Sequence, residues 1–167
     1  MLGFPDRQPF EATRLLTSQL VLGLQRLRSG GTVVVLLHRA DKWSSVLLMA
    51  TFAAFSDSVV LVKPERAHRT RSSFYLVAKG VRPEREAAAE AVRAWKAKWS
   101  LSTFQLGDGT EGLDEAELEV LGSGGEEKVG EVLRDFGPEL MRMAEPVFAI
   151  QAEALRAEPW MKSAGAP

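Results

Sequence analysis

The 167-residue sequence contains no cysteine. This excludes disulfides and thiolate metal sites at the outset. Residues 1–7 carry neither the basic start nor the long apolar stretch of a secretion signal. No apolar run approaches the roughly 18–20 residues a bilayer span needs, and the longest, around Val46–Phe55, reads as a buried helix. A soluble intracellular protein without a membrane partner is expected. Internal repeats are absent, and so is a G-x-G-x-x-G turn between a strand and a helix. Gly122 to Gly125 sits among helices and reads as a linker. What remains is ordinary globular composition, 46% hydrophobic and 26% charged, enough for a small α/β core with an appendage.

The net charge of -1 conceals a gradient. Residues 1–80 hold 11 Lys/Arg against 5 Asp/Glu, and residues 81–167 hold 10 against 17. A polyanion would prefer the front half, unless the two halves simply attract each other.

Hydrophobic periodicity supplies the elements. Leu15, Leu16, Leu20, Leu24 and Leu27 recur at helical spacing until Ser29-Gly30-Gly31, where a glycine is expected to close the helix in a left-handed conformation. Thr32–Leu37 (TVVVLL) is β-branched and apolar on both faces, as expected of a strand covered by helices on both sides. Asp41 is placed to cap a helix through Phe55. Asp57–Lys63 and Ser73–Ala78 read as further strands. Their connection is too short for a parallel crossover and predicts an antiparallel hairpin. Beyond Pro83, Glu84–Trp99 reads as a helix, and Leu113–Leu121 as a short acidic one. Glu126–Trp160 reads as one or two more, interrupted at Gly137-Pro138 and near Pro146. The division is therefore residues 1–81, half of an α/β domain, and residues 82–167, a helical extension.

Several residues carry chemistry. Lys63, Arg66, His68, Arg69 and Arg71 concentrate cations in one short loop. They are the candidates for nucleic-acid contact through phosphates, or else a solvated hairpin that keeps an edge soluble. Trp43, Trp95, Trp99 and Trp160 could stack on bases, but the first three fall on amphipathic helices, where packing is expected. Asp114, Glu115, Glu117 and Glu119 are spread around a helix rather than gathered into a cation cage. Leu140, Met141, Met143, Phe148, Ile150 and Leu155 form an apolar helical set that would cover the sheet or meet a partner.

The ordered series L-R-S-G-G-T, VVVLLH, VVLVKP, ERAHRTR and SSFYLVAKG, spanning Leu27 to Gly80, resembles the last third of an FtsJ-like RNA 2′-O-methyltransferase domain. The resemblance covers about a third of the chain closely. It implies a partial Rossmann-like class I methyltransferase sheet, with the antiparallel last strand inserted between its two predecessors. It also implies S-adenosylmethionine as the family's cofactor. The glycine-rich cofactor turn and the acidic residue that hold it would lie upstream, so no cofactor is expected to bind this chain alone. The family's catalysis rests on a Lys-Asp-Lys-Glu set that positions a ribose hydroxyl and helps its proton leave. The first Lys and the Asp would also lie upstream. The second Lys falls on Leu36 and the Glu on Ser73, neither of which can carry the charge. His38, on the same strand face as Leu36, and Lys42 are the candidates for a substitute base.

The expectation is a noncatalytic methyltransferase-like module that binds RNA or protein. The alternatives are one piece of an active methyltransferase whose cofactor half is elsewhere, and a helical adaptor carrying a relic fold. Without an upstream neighbour, the Thr32–Leu37 edge should be covered by the helical tail or should pair with a second copy or a partner chain.

Overall fold

The computed structural model describes residues 10–66, 68–104 and 125–159. Helix α1 (Glu11–Arg26) leads to strand β1 (Gly31–His38), helix α2 (Trp43–Phe55) and strands β2 (Ser58–Val62) and β3 (Ser73–Val81). Helices α3 (Glu86–Phe104) and α4 (Gly125–Ala157) follow. The acidic segment Leu113–Leu121 and Trp160 lie outside the described residues.

The β-branched runs form one three-stranded sheet in the order β1-β3-β2. Both pairings are antiparallel, and β2–β3 is the expected hairpin. β1 and β2 therefore run parallel to each other, joined by α2, with β3 between them. Val35, Leu76 and Leu61 align across the sheet, as do Val34, Val77 and Val60.

One face of this sheet builds the core. Leu37, Val59, Phe74, Leu76 and Ala78 meet Met49, Phe52 and Phe55 of α2, all buried. Phe52 lies 5.3 Å from Phe55 and 5.9 Å from Trp95 of α3, ring centre to ring centre. α3 adds Ala88 and Ala91, and α4 adds Met143, Ala144 and Val147 to the same cluster. The residues beyond 82 thus share the core of those before it.

The other face differs from the sequence expectation. Val34 is 59% exposed, Leu36 53%, Val62 45% and Val60 36%. Thr32–Leu37 is therefore not covered on both sides. Side chains of odd number on β1 pack inward, while Thr32, Val34, Leu36 and His38 face out. Apolar residues on both faces of a strand make it fit to be sandwiched, but they do not supply the second layer.

Local punctuation also departs from expectation. α1 ends at Arg26 with Leu27 extended, so no glycine caps it. Gly30 instead spends its φ of 79° on the turn into β1, where its N–H donates to Val81 O at 2.8 Å. Asp41 does not cap α2. The N-cap is Lys42, and the Asp41 carboxylate accepts from Arg39 at 2.9 Å. α4 is one helix of 33 residues with Pro138 and Pro146 inside it, not two interrupted pieces. Each proline removes a single N–H donor. The inward stripe Val132, Phe136, Leu140, Met143 and Val147 continues through both at helical spacing. Burial of that stripe outweighs the local penalty. Met141 and Phe148 fall outside the stripe and are exposed.

Candidate functional site

Two features of the sheet have functional potential: its uncovered side and its cationic end. The uncovered side is built by simple alternation, since side chains two residues apart share a face. It presents two apolar rows, Val34–Val77–Val60 and Leu36–Tyr75–Val62. Lys79 stands opposite Ser58 at one end, and His38 terminates β1 at the other. Strands β1, β2 and β3 contain no Asp or Glu. Among the described residues the Lys79 ammonium has no hydrogen-bond or ion-pair partner.

Among the described residues β1 is also an edge, because its strand partner there is β3 alone. α4 does not run along this edge. It packs on α2 and β2, on the far side of the sheet. Among the described residues no part of the tail covers Thr32–Leu37, and β1 keeps unpaired backbone groups along this edge; residues 105–124 and 160–167 of the tail lie outside them.

The cationic end lies where parallel strands β1 and β2 finish. In open α/β sheets, ligands gather outside the carboxyl ends of parallel strands. Arg39 follows β1 with a φ of 57°, and its N–H donates to Ser72 O at 3.0 Å. His68, in the 63–72 connection, has a φ of 56°. Left-handed backbone is uncommon outside glycine, and here two such residues mark one end of the sheet.

The five loop cations do not form one surface. Lys63 is 5% exposed, and its Nζ donates to Ser73 O at 2.9 Å and to Arg71 O. Burial lowers its pKa below the ordinary lysine value. The period of two from Val59 and Leu61 was the available signal, because it places Lys63 on the core side of β2. Arg69 leans on Glu153 of α4 at 3.6 Å, while Gln151 donates to Thr70 O at 3.4 Å. Arg66, His68 and Arg71 remain exposed, and among the described residues no carboxylate pairs with Arg66 or Arg71. Asp41 is engaged by Arg39, which lowers its pKa.

Of the aligned catalytic positions, Leu36 and Ser73 share one side of the sheet: Leu36 pairs with Tyr75, and Ser73, two residues from Tyr75 and opposite His38, is buried at the strand end. His38 is exposed at the strand end. Lys42 begins α2, which packs on the covered face. Of the tryptophans, Trp95 is core, Trp43 is half-buried, and Trp99 makes an edge-on contact with Phe104 at 5.9 Å.

A groove of about 480 Å³ lies between the end of α1 and the start of α3, lined by Leu24, Leu27, Ala88 and Val92. Its one carboxylate, Glu84, already accepts from Ser29 Oγ at 2.9 Å. Among the described residues no group of three His, Asp or Glu side chains could hold a metal ion. No helix among them is long and apolar enough to cross a membrane. Comparison of the chain with protein-family models, curated proteins and solved structures returns no match.

Proposed function

We infer that this chain is a noncatalytic, methyltransferase-like module that binds another polypeptide through the β1 edge and the uncovered side of its sheet. The observation that carries this reading is the exposure of Val34, Leu36, Val60 and Val62 on one contiguous face. The largest contiguous apolar patch on a monomer is typically about 300–600 Å² and is often functional. The free edge beside the patch offers backbone pairing to the same partner.

The order β1-β3-β2, with an antiparallel strand between two parallel ones, supports reading the sheet as the far part of a Rossmann-like class I methyltransferase fold. The loss of catalysis is supported by the leucine at 36 and the serine at 73. An active S-adenosylmethionine-dependent RNA methyltransferase remains the alternative if the partner itself supplies the cofactor half.

A second reading, RNA contact, is favoured by Arg66, His68 and Arg71 at the carboxyl ends of β1 and β2. It excludes Lys63 from the contacting set, because that ammonium is held by loop carbonyls.

Site-specific photo-crosslinking tests both readings. A benzophenone amino acid replaces Leu36 or Arg71 in the full chain, expressed in the cells it comes from. The interaction reading expects a discrete polypeptide adduct from position 36, and the RNA reading a nuclease-sensitive adduct from position 71. No adduct at position 36 refutes the first.

A further inference from the structure

The uncovered face has the width of a single helix. Three strands spaced ~4.8 Å apart span roughly 10–14 Å, and a helix with its side chains is about 10–12 Å across. Its six central side chains, in two rows of three, are apolar apart from the Tyr75 hydroxyl. Its charge is of one sign, with Lys79 at one end, no carboxylate on any strand, and the rim acids Asp41 and Asp57 engaged by Arg39 and Arg82.

A second copy meeting this face with its own is a poor occupant, because it would bring a second Lys79 and no free carboxylate to the contact. A helix lying along the strands suits both the width and the layer packing of α on β.

We propose that this face seats one amphipathic α-helix of a partner polypeptide, whose apolar stripe covers Val34, Leu36, Val60 and Val62 and whose bordering carboxylate pairs with Lys79. This rests on the interaction reading above and specifies the partner's chemistry. The helix fills the missing layer, and the desolvated rim turns Lys79 from an idle charge into a selector against cationic helices.

Two synthetic helical peptides test it, with the same Leu/Ala stripe and either Glu or Lys borders. Each is titrated into the full chain by fluorescence anisotropy, with methyl NMR of the valines and leucines in parallel. The Glu-bordered peptide should saturate and bind at least tenfold tighter than the Lys-bordered one. Its shifts should centre on Val34, Leu36, Val60 and Val62. Leu36→Glu, at an exposed position that leaves the fold intact by circular dichroism, should weaken it at least tenfold. Lys79→Glu should reverse the preference. Equal affinities, no saturable binding, or indifference to Leu36→Glu would overturn the proposal. So would a peptide-free dimer that Leu36→Glu dissociates, which gives the face to a second copy. Protection of these methyls in the free monomer, which gives the face to the chain's own residues, would also overturn it. A polypeptide adduct at position 36 with failed peptide binding refutes the helix alone. Absence of that adduct refutes the interaction reading beneath it.

Discussion

Replacing Lys63 with methionine separates a structural cation from a nucleic-acid contact. The substitution keeps most of the apolar stem and deletes the ammonium, so the lost quantity is the pair of hydrogen bonds to Arg71 O and Ser73 O. A hydrogen bond from a charged donor contributes roughly 1.5–3 kcal/mol net. Burying an ammonium with no carboxylate beside it costs several kcal/mol, a penalty that the methionine side chain does not incur. The difference leaves a loss of about 2 kcal/mol, or about 4–8 °C in Tm for a chain of this size. Urea denaturation measures the first figure and a thermal scan the second. The pH dependence gives an independent check. Because burial lowers the folded-state pKa of Lys63, the unfolded chain binds more protons between that value and the ordinary 10.5. The group therefore makes stability rise with pH through this alkaline window, and Lys63→Met should remove that increment. RNA affinity measured below the transition should be unchanged in Lys63→Met and lowered in Arg71→Ala, whose stability should stay within about 0.5 kcal/mol of the parent. If Lys63→Met is as stable as the parent but loses RNA, the clamp assignment is wrong.

Three further substitutions probe the scaffold. Gly80→Ala should cost about 1–3 kcal/mol in urea denaturation, since φ is 63° and the new Cβ would run into the Asp57 carboxylate. Made instead in an Asp57→Gly background, which also removes the Asp57 Cβ 2.7 Å away, Gly80→Ala should cost only about 1 kcal/mol of backbone strain, and no cost at all would contradict the strain. Pro146→Ala, on the exposed side of α4, should stabilise by about 1–2 kcal/mol and raise helicity, since an interior proline costs more than its restriction of the unfolded chain returns. Destabilisation would mean that α4 requires the bend at that point. Phe52→Ala should cost about 3–5 kcal/mol, because the ring is 1% exposed between Phe55 and Trp95. A cost below about 1 kcal/mol would mean that this part of the core is loosely packed.

The strands were legible because three runs, VVVLL, VVLV and FYLVA, combine β-branched or aromatic residues with bounding turn residues. The hairpin was legible because a connection of about ten residues cannot carry a parallel crossover. Layer number was not legible. Thr32 and His38 share parity with Val34 and Leu36, a polar-ended stripe that marks the outer side of β1, but the apolar pair between them dominates the pattern. Pro138 and Pro146 pointed to breaks in α4 because a proline's local cost can be read from a sequence, whereas the burial that offsets it depends on neighbours distant along the chain. At the candidate site, the composition of the 63–71 loop was visible. The inward direction of Lys63 was hidden only by grouping it with the loop instead of with Val59 and Leu61. Asp41 failed as a cap because Arg39, two residues earlier, is close enough to take its carboxylate.

The uncovered sheet also bears on how this chain fares in a cell. If a partner covers this face as proposed, a copy without it shows apolar side chains beside an unpaired strand edge, the kind of surface on which chaperones and proteases act. Partner occupancy would remove the mark. Synthesis of this chain in excess of its partner should then yield short-lived or aggregated material, so that the supply of the partner sets how much of the chain persists.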